Sequence, residues 1–183
     1  MAEKEEYAII LDFLPEGHPL DNRPSHRKTA IAQALGKTKF ALLELVPKPG
    51  IFLNIGQEVY IGEGKRDHVH HIEGRIPLNK LTNTAQGELN FYVEDLVRNN
   101  QPVFVAFFNK AQPLSTRMHS LELIPGLGKK HMWEIIDERK IGDFKDFDDI
   151  KKRVKLMPDP QKLVIRRIMQ ELGGNEKHRL FTE

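Results

Sequence analysis

The run Pro125-Gly126-Leu127-Gly128-Lys129-Lys130 combines residue types suited to holding an anion. Gly126 and Gly128 lack a Cβ, so the backbone can take unusual φ values and a phosphate can approach it closely. Leu127, the apolar residue between them, is expected to point inward and anchor the turn. Helical periodicity resumes at Lys129, so the first N–H groups of a helix should face outward here. Those groups have no intrahelical acceptor, and with the helix dipole they make an anion site to which Lys129 and Lys130 add full positive charge. Such a site grips phosphates and carries no base code. The alternative is a plain helix–helix turn, with Gly126 as a C-cap and Gly128 as a loop glycine.

The flanks extend the pattern. Met118–Ile124 is expected to be helical, and so is the segment from His131 to Arg139. Pro-Gly-hydrophobic-Gly followed by basic residues, between two helices, resembles the helix-hairpin-helix motif of DNA- and RNA-binding proteins. The resemblance implies contact with a phosphate backbone, and Arg139 also sits at the family's spacing. A use of the same motif for protein interaction is the second possibility. One position departs: Met132 stands where the second helix usually carries a small residue such as Ala, which implies a less close helix crossing. Such units often come in pairs. Phe144–Val154 looks like the first helix of a second unit, Leu156–Pro160 stands where its hairpin would be, and Gln161–Leu172 closes it with Val164, Ile165, Ile168 and Leu172 inward. Both hairpin glycines are missing there, so the second unit, about 144–172, is expected to be structural. Its basic run Lys151-Lys152-Arg153, with Lys155, could still touch phosphates, but such a run is more often a solvated face, and Asp146, Asp148 and Asp149 lie close by.

A second basic group lies near the start. From Asn22 to Leu43 there are Arg23, His26, Arg27, Lys28, Lys37 and Lys39 and no acidic residue. A local basic patch is the footprint of a polyanion partner. Lys65 and Arg66, in the turn Gly62–Asp67, join this set. Tyr60 lies on the strand face opposite Val59 and Ile61, where a base could stack; the alternative is packing beneath a loop. His68, His70 and His71 raise a further chemistry. On a strand His68 and His70 would face the same way and could share a metal, the basis for a metal-dependent nuclease or phosphoesterase. No carboxylate constellation accompanies them, and a surface histidine cluster is the competing reading. Gly62-Glu63-Gly64-Lys65 is too short for a phosphate-cradling Walker loop, and no serine sits in a Gly-x-Ser-x-Gly elbow.

These residues need elements to position them. Tyr7, Ile9, Leu11 and Phe13 alternate as a half-buried strand requires. A polar loop with Pro15, Gly17, Pro19 and Pro24 follows. Further strands are expected at Lys39–Val46, Gln57–Gly62 and His68–Ile76, a spacing that suggests a small closed barrel of the OB or SH3-like kind, or else a partly open sheet. Near Pro77–Thr82 the period becomes helical. Leu89, Tyr92, Val93, Leu96 and Val97 form one apolar stripe, with Asn83 and Gln86 as a capping box. Pro102 opens the next helix, with Phe104, Phe107, Phe108 and Ala111 buried; Pro113 ends it, and Ser115 or Thr116 can cap its successor. The tail Gly173–Glu183 is expected to fray.

Composition sets the outer bounds. The chain has 183 residues, enough for one medium domain or two small ones. It contains no cysteine, which excludes disulfides, iron–sulfur clusters and thiolate zinc sites. No apolar run approaches the ~18–20 residues that span a bilayer, and the charged Met1–Glu6 start does not read as a signal peptide.

The whole chain resembles an archaeal family of predicted RNA-binding proteins of unknown function. The resemblance runs through Glu6–Pro15, Leu42–Pro47, Val59–Gly62, Gly64–Asp67 and Ala111–Pro113, over roughly residues 5–172. It implies an OB-like barrel before a helical domain, and OB-type barrels commonly bind oligonucleotides. The combined expectation is an α+β protein with a barrel over 1–80 and a helix-hairpin-helix domain over 81–183. It is read as a cytoplasmic, non-enzymatic nucleic-acid-binding protein that uses no cofactor. RNA is favoured over DNA by the resemblance and the barrel, while the residues themselves leave the two open. A scaffold for a protein partner in translation or transcription is the alternative.

Overall fold

The computed structural model describes residues 4–183; Met1–Glu3, part of the charged start noted above, lie outside the described residues. Five strands and five α-helices give a mixed α+β architecture. The strands are β1 (Tyr7–Leu14), β2 (Ile31–Gly36), β3 (Leu42–Pro47), β4 (Glu58–Tyr60) and β5 (Val69–Arg75). They form one antiparallel sheet in the order β4-β1-β2-β3-β5. Among the described residues no ladder joins β4 to β5, so the sheet is curled but open and the closed-barrel expectation gives way to its alternative.

The curl has local causes. Register shifts occur in the β1–β2 pair between Ile10 and Asp12, and twice in the β3–β5 pair. An extra residue on one strand bends it and increases its twist. The inner face mixes small and large side chains, with Ala8, Ala32, Ala34 and Ala41 among Ile10, Leu43, Leu45, Leu53, Val59, Ile61 and Val69. The same bulge corrects the expected alternation of β1. Ala8 and Ile10 line the inner face, and the extra residue changes the parity so that Phe13 joins them. Ile9 and Leu11 are buried outside that cluster, and Tyr7 is exposed.

β2 is the strand that sequence patterning missed. All six of its residues are buried, so no polar–apolar alternation marks it. Its Ile-Ala-Gln-Ala-Leu-Gly sequence is also poor in strong β formers. The turn that follows is fastened by Glu5, whose carboxylate accepts from the N–H of Thr38 (2.8 Å) and of Lys39 (2.7 Å).

Gln33 of β2 is fully buried and bonded at both its amide nitrogen and its oxygen. Its amide donates to the Lys80 carbonyl (3.0 Å) and its oxygen accepts from the Thr82 N–H (2.9 Å). The Thr82 hydroxyl donates to Asp12 (2.6 Å) and accepts from the Ala85 N–H (3.1 Å). Thr82, and not Asn83, therefore caps α1 (Asn83–Asn99).

The chain divides into two compact units, one running through Tyr92 and taking in Glu171–Glu183, the other Val93–Gln170. The tail in the first unit is not frayed. The buried Glu171 carboxylate accepts from the N–H groups of Leu180 (2.6 Å), Phe181 (3.1 Å) and Thr182 (2.9 Å). Phe181 and Thr182 are buried with it. Charge-assisted bonds of this kind are about twice as strong as neutral ones.

The remaining helices are α2 (Gln101–Lys110), α3 (Lys129–Ile141), α4 (Phe147–Arg153) and α5 (Pro160–Leu172). Phe104, Phe108 and Ala111 are buried as expected, while Phe107 is half-buried. In α5 Leu163, Val164, Arg167, Ile168 and Glu171 are among the buried positions, with Ile165 and Leu172 half-buried. Arg167 donates to the Leu123 carbonyl (3.1 Å), which ties α5 to the segment entering the first hairpin.

Candidate functional site

The segment before the hairpin is shorter than expected. In place of a helix over Met118–Ile124 there is a single 3-10 turn, Ser120–Leu123. His119 caps it: Nδ1 accepts from the Leu121 N–H (3.1 Å), and Glu122 accepts from the His119 N–H (2.6 Å). This residue, not Ser115 or Thr116, starts the element. Pro125 disfavours helical backbone at Ile124, which limits the turn's length. Burial, and next the Arg139 guanidinium, push the His119 pKa down against the opposing pull of Glu122. A neutral ring is what an accepting Nδ1 requires.

The two hairpin glycines have different reasons. Gly126 has φ +86°, and a Cβ there would stand 3.1 Å from Leu163 Cδ2. Its conformation and its packing both call for glycine. Gly128 has φ −81°, and a Cβ there would meet nothing within 4 Å. It is the N-cap of α3 and supplies no side-chain cap. The first bond into its carbonyl comes from the Met132 N–H (3.0 Å). Among the described residues the N–H groups of Lys129, Lys130 and His131 find no acceptor, as helix geometry dictates for a first turn without a capping side chain.

Leu127 is buried and anchors the turn, and Met132 is buried behind it. Gly128, Lys129 and Lys130 are exposed, and neither lysine has an ion-pair partner among the described residues. A third cation stands close by. The Arg166 Nη1 of α5 lies 3.7 Å from where a Gly126 Cβ would be, and its side chain is exposed. Sequence spacing gave no sign of Arg166, because only the packing of α5 against the hairpin brings it there. Arg139 does not join this group. It donates to the Phe108 carbonyl (3.0 Å) and is partly buried, so its role is structural.

At the second turn the expected solvated face holds for Lys151, Lys152 and Lys155, which are exposed, but not for Arg153, which is drawn inward. Arg153 donates to the carbonyls of Glu138 and Gly142 (2.7 Å to the latter), closing the end of α3. It also meets the carboxylates of Glu138 and Asp149 (3.3 Å each) and lies 4.4 Å over the Phe144 ring.

In the sheet unit the expected site residues divide. Arg23 is paired with Asp21 through Nε and Nη2 (2.9 and 2.8 Å), and this pairing holds the Asp21 carboxyl down to about 2. Arg27 is exposed and Lys28 half-buried, in and just after a 3-10 turn at Ser25–Arg27. Lys65 is exposed, but Arg66 Nε is committed to the Gly62 carbonyl (2.8 Å). Tyr60 packs beneath its own turn: its hydroxyl accepts from the Gly64 N–H (3.0 Å), and a Cβ on Gly62 would stand 2.4 Å from that oxygen. The exposed ring that the sequence reading passed over is Phe52, 67% accessible and edge-on to Phe13 at 4.7 Å.

The histidines also fall out differently. The β3–β5 irregularity pairs Val46 with His71 and Pro47 with Val69, leaving His70 as the extra residue. His70 Nδ1 and His71 Nδ1 are then 2.8 Å apart, and His71 Nε2 lies 2.9 Å from Glu73. His68 is not part of this contact. Among the described residues no group of three or more His, Asp or Glu is arranged to hold a metal.

A model of a family described as proteins of unknown function, DUF655, matches residues 4–183. The chain belongs to the DUF655 family. It shares 40% identity over 177 residues with the uncharacterized protein MJ0038 of Methanocaldococcus jannaschii, covering 97% of this chain and 78% of that protein. It is similar to the crystal structure of Af1531 from Archaeoglobus fulgidus, with a TM-score of 0.84, 44% identity, and coverage of 98% of this chain and 100% of the other. The archaeal kinship expected from the sequence is thereby found, in a DUF655 fold that takes in the sheet and both turns of the helical unit. No helix among the described residues is long and apolar enough to cross a membrane.

Proposed function

We propose that this DUF655 protein binds nucleic acid, RNA in preference to DNA, and that the hairpin Pro125–Lys130 grips backbone phosphates. The observation that carries the reading is Gly128. Neither its backbone angle nor its surroundings call for a glycine. What its missing side chain leaves open is the approach to the free N–H groups of α3, beside Lys129, Lys130 and Arg166. An anion there meets a helix N-terminus and three cations, and the contact is blind to base sequence. The helix-hairpin-helix character of this region and the OB-like character of the sheet belong to the same reading. Arg27 and Lys28 with Lys65 supply the sheet unit's basic surface, and the setting is the cytoplasm.

The test is fluorescence anisotropy with single- and double-stranded RNA and DNA at two salt concentrations. Binding that weakens steeply with salt, and by similar factors for unrelated sequences, supports the reading. No binding to any of the four refutes it. Exposed Leu156 (88%) and Ile141 (81%) favour a second reading, a scaffold for a protein partner. Partner binding that survives high salt would distinguish it.

A further inference from the structure

Trp133 is the only tryptophan of the chain, and it is 58% exposed on α3. Large aromatic side chains are seldom left so open, because burying one contributes about 1.5–3 kcal/mol. Its neighbours Met132 and Ile135 are buried, so α3 has a covered face and Trp133 stands off it. Among the described residues no aromatic ring or cation is stacked on the indole.

Its position along the helix matters as much as its exposure. Lys129 and Lys130 lie four and three residues before it, spacings that place side chains on one helix face. Helical side chains also lean toward the N-terminus. The indole therefore shares the helix face that carries the two lysines.

We propose that Trp133 is a base-stacking platform and that the ligand of this site is an unpaired nucleotide strand. The proposal rests on the phosphate-gripping reading of the hairpin and goes further. It adds a flat apolar surface one helical turn from the cations. A base can lie on that surface only when it is free of its own stack and pair. Stacking on an aromatic ring tolerates every base, in keeping with a contact that reads no sequence.

The full-length protein is titrated with single-stranded oligoadenylate RNA and with a fully paired RNA duplex. Trp133 emission reports stacking and anisotropy reports affinity. The single strand should quench the emission saturably and the duplex should not. Trp133→Ala should weaken single-strand affinity about tenfold or more and leave duplex affinity and thermal unfolding unchanged, whereas Trp133→Phe should retain most of the binding. Equal quenching by oligodeoxyadenylate supports a contact made by the base and not by the 2′-hydroxyl. Unchanged single-strand affinity in Trp133→Ala, with loss in Lys129→Ala/Lys130→Ala, overturns the stacking platform and leaves the phosphate grip standing. Equal quenching by the duplex also overturns it. No binding by either strand form overturns both.

Discussion

Two turns of the helical unit join helices beside basic residues, and the protein uses Arg153 at one and Lys129 and Lys130 at the other in opposite ways. Before the second turn, Arg153 is drawn inward. It meets two carboxylates and the carbonyls of Glu138, Gly142 and Asp143, and it covers the Phe144 ring. The turn itself has no glycine, and Leu156 takes φ +56° in its place. At the first turn the order is reversed. Glycines form the backbone, Leu127 alone goes inward, and Lys129, Lys130 and Arg166 are left to solvent. A basic run in a sequence is therefore ambiguous. What separates a structural clasp from a binding surface is whether protein acceptors already occupy the cation.

The comparison breaks most visibly at Arg153. Arg153→Ala leaves the Glu138 and Gly142 carbonyls at the end of α3 without this donor and uncovers the Phe144 ring, and should destabilise the protein by about 2 kcal/mol, read as a lower urea midpoint at unchanged slope. A loss below about 0.5 kcal/mol would show the clasp to be incidental. Next comes Gly126→Ala. A non-glycine residue in the left-handed region costs about 1–2 kcal/mol, and the Leu163 contact adds to it.

The lysine pair should give the opposite signature. Lys129→Ala/Lys130→Ala leaves stability within about 0.5 kcal/mol of the parent. It lowers nucleic-acid affinity for all sequences alike and reduces the salt slope by about 1 per lost phosphate contact. Lys151→Ala/Lys152→Ala, the matched change beside the second turn, should leave both quantities as they were. If it weakens binding equally, the asymmetry drawn here between the two turns is wrong.

Gly128→Ala sharpens the contrast between the glycines. It should cost stability about 1 kcal/mol or less, since glycine is preferred to alanine at an N-cap, while hindering phosphate approach and weakening binding. Unchanged binding would return Gly128 to the role of a plain loop residue.

The smallest effect is in pH. The folded pKa of His119 lies below its ordinary 6.5. On acidification the unfolded chain takes the proton first. The cap is therefore intact above about pH 6.5 and stability declines as pH falls below it. Urea midpoints at about pH 7.5 and 5.5 should differ more for the parent than for His119→Asn, which keeps an acceptor without the titration.

Much of this is legible in the sequence alone. Leu127 as the anchor, α3 beginning at Lys129 and much of the phenylalanine core of α2 follow from period, turn chemistry and charge. Each depends on neighbours within a few residues. The misses share a different cause. β2 was invisible because burial on both faces erases alternation, and the β1 bulge reversed a parity that only pairing with β2 could reveal. Tyr60 looked like a stacking ring until the turn above it was seen to close on its hydroxyl.

The sequence by itself determined most of the elements, though not β2 or the length of the segment before the hairpin, and it determined the hairpin's glycines and where cations cluster along the chain, because local backbone preference and side-chain charge are properties of short segments. Tertiary structure decided which cations remain free. Arg23, Arg66, Arg139 and Arg153 are bound by carbonyls or carboxylates, whereas Arg166 is carried to the hairpin by the packing of α5. A charge is spent or available according to the acceptors within about 3 Å of it; for Arg23 and Arg66 those acceptors are two and four residues away, and for Arg139 and Arg153 folding brings them from farther along the chain.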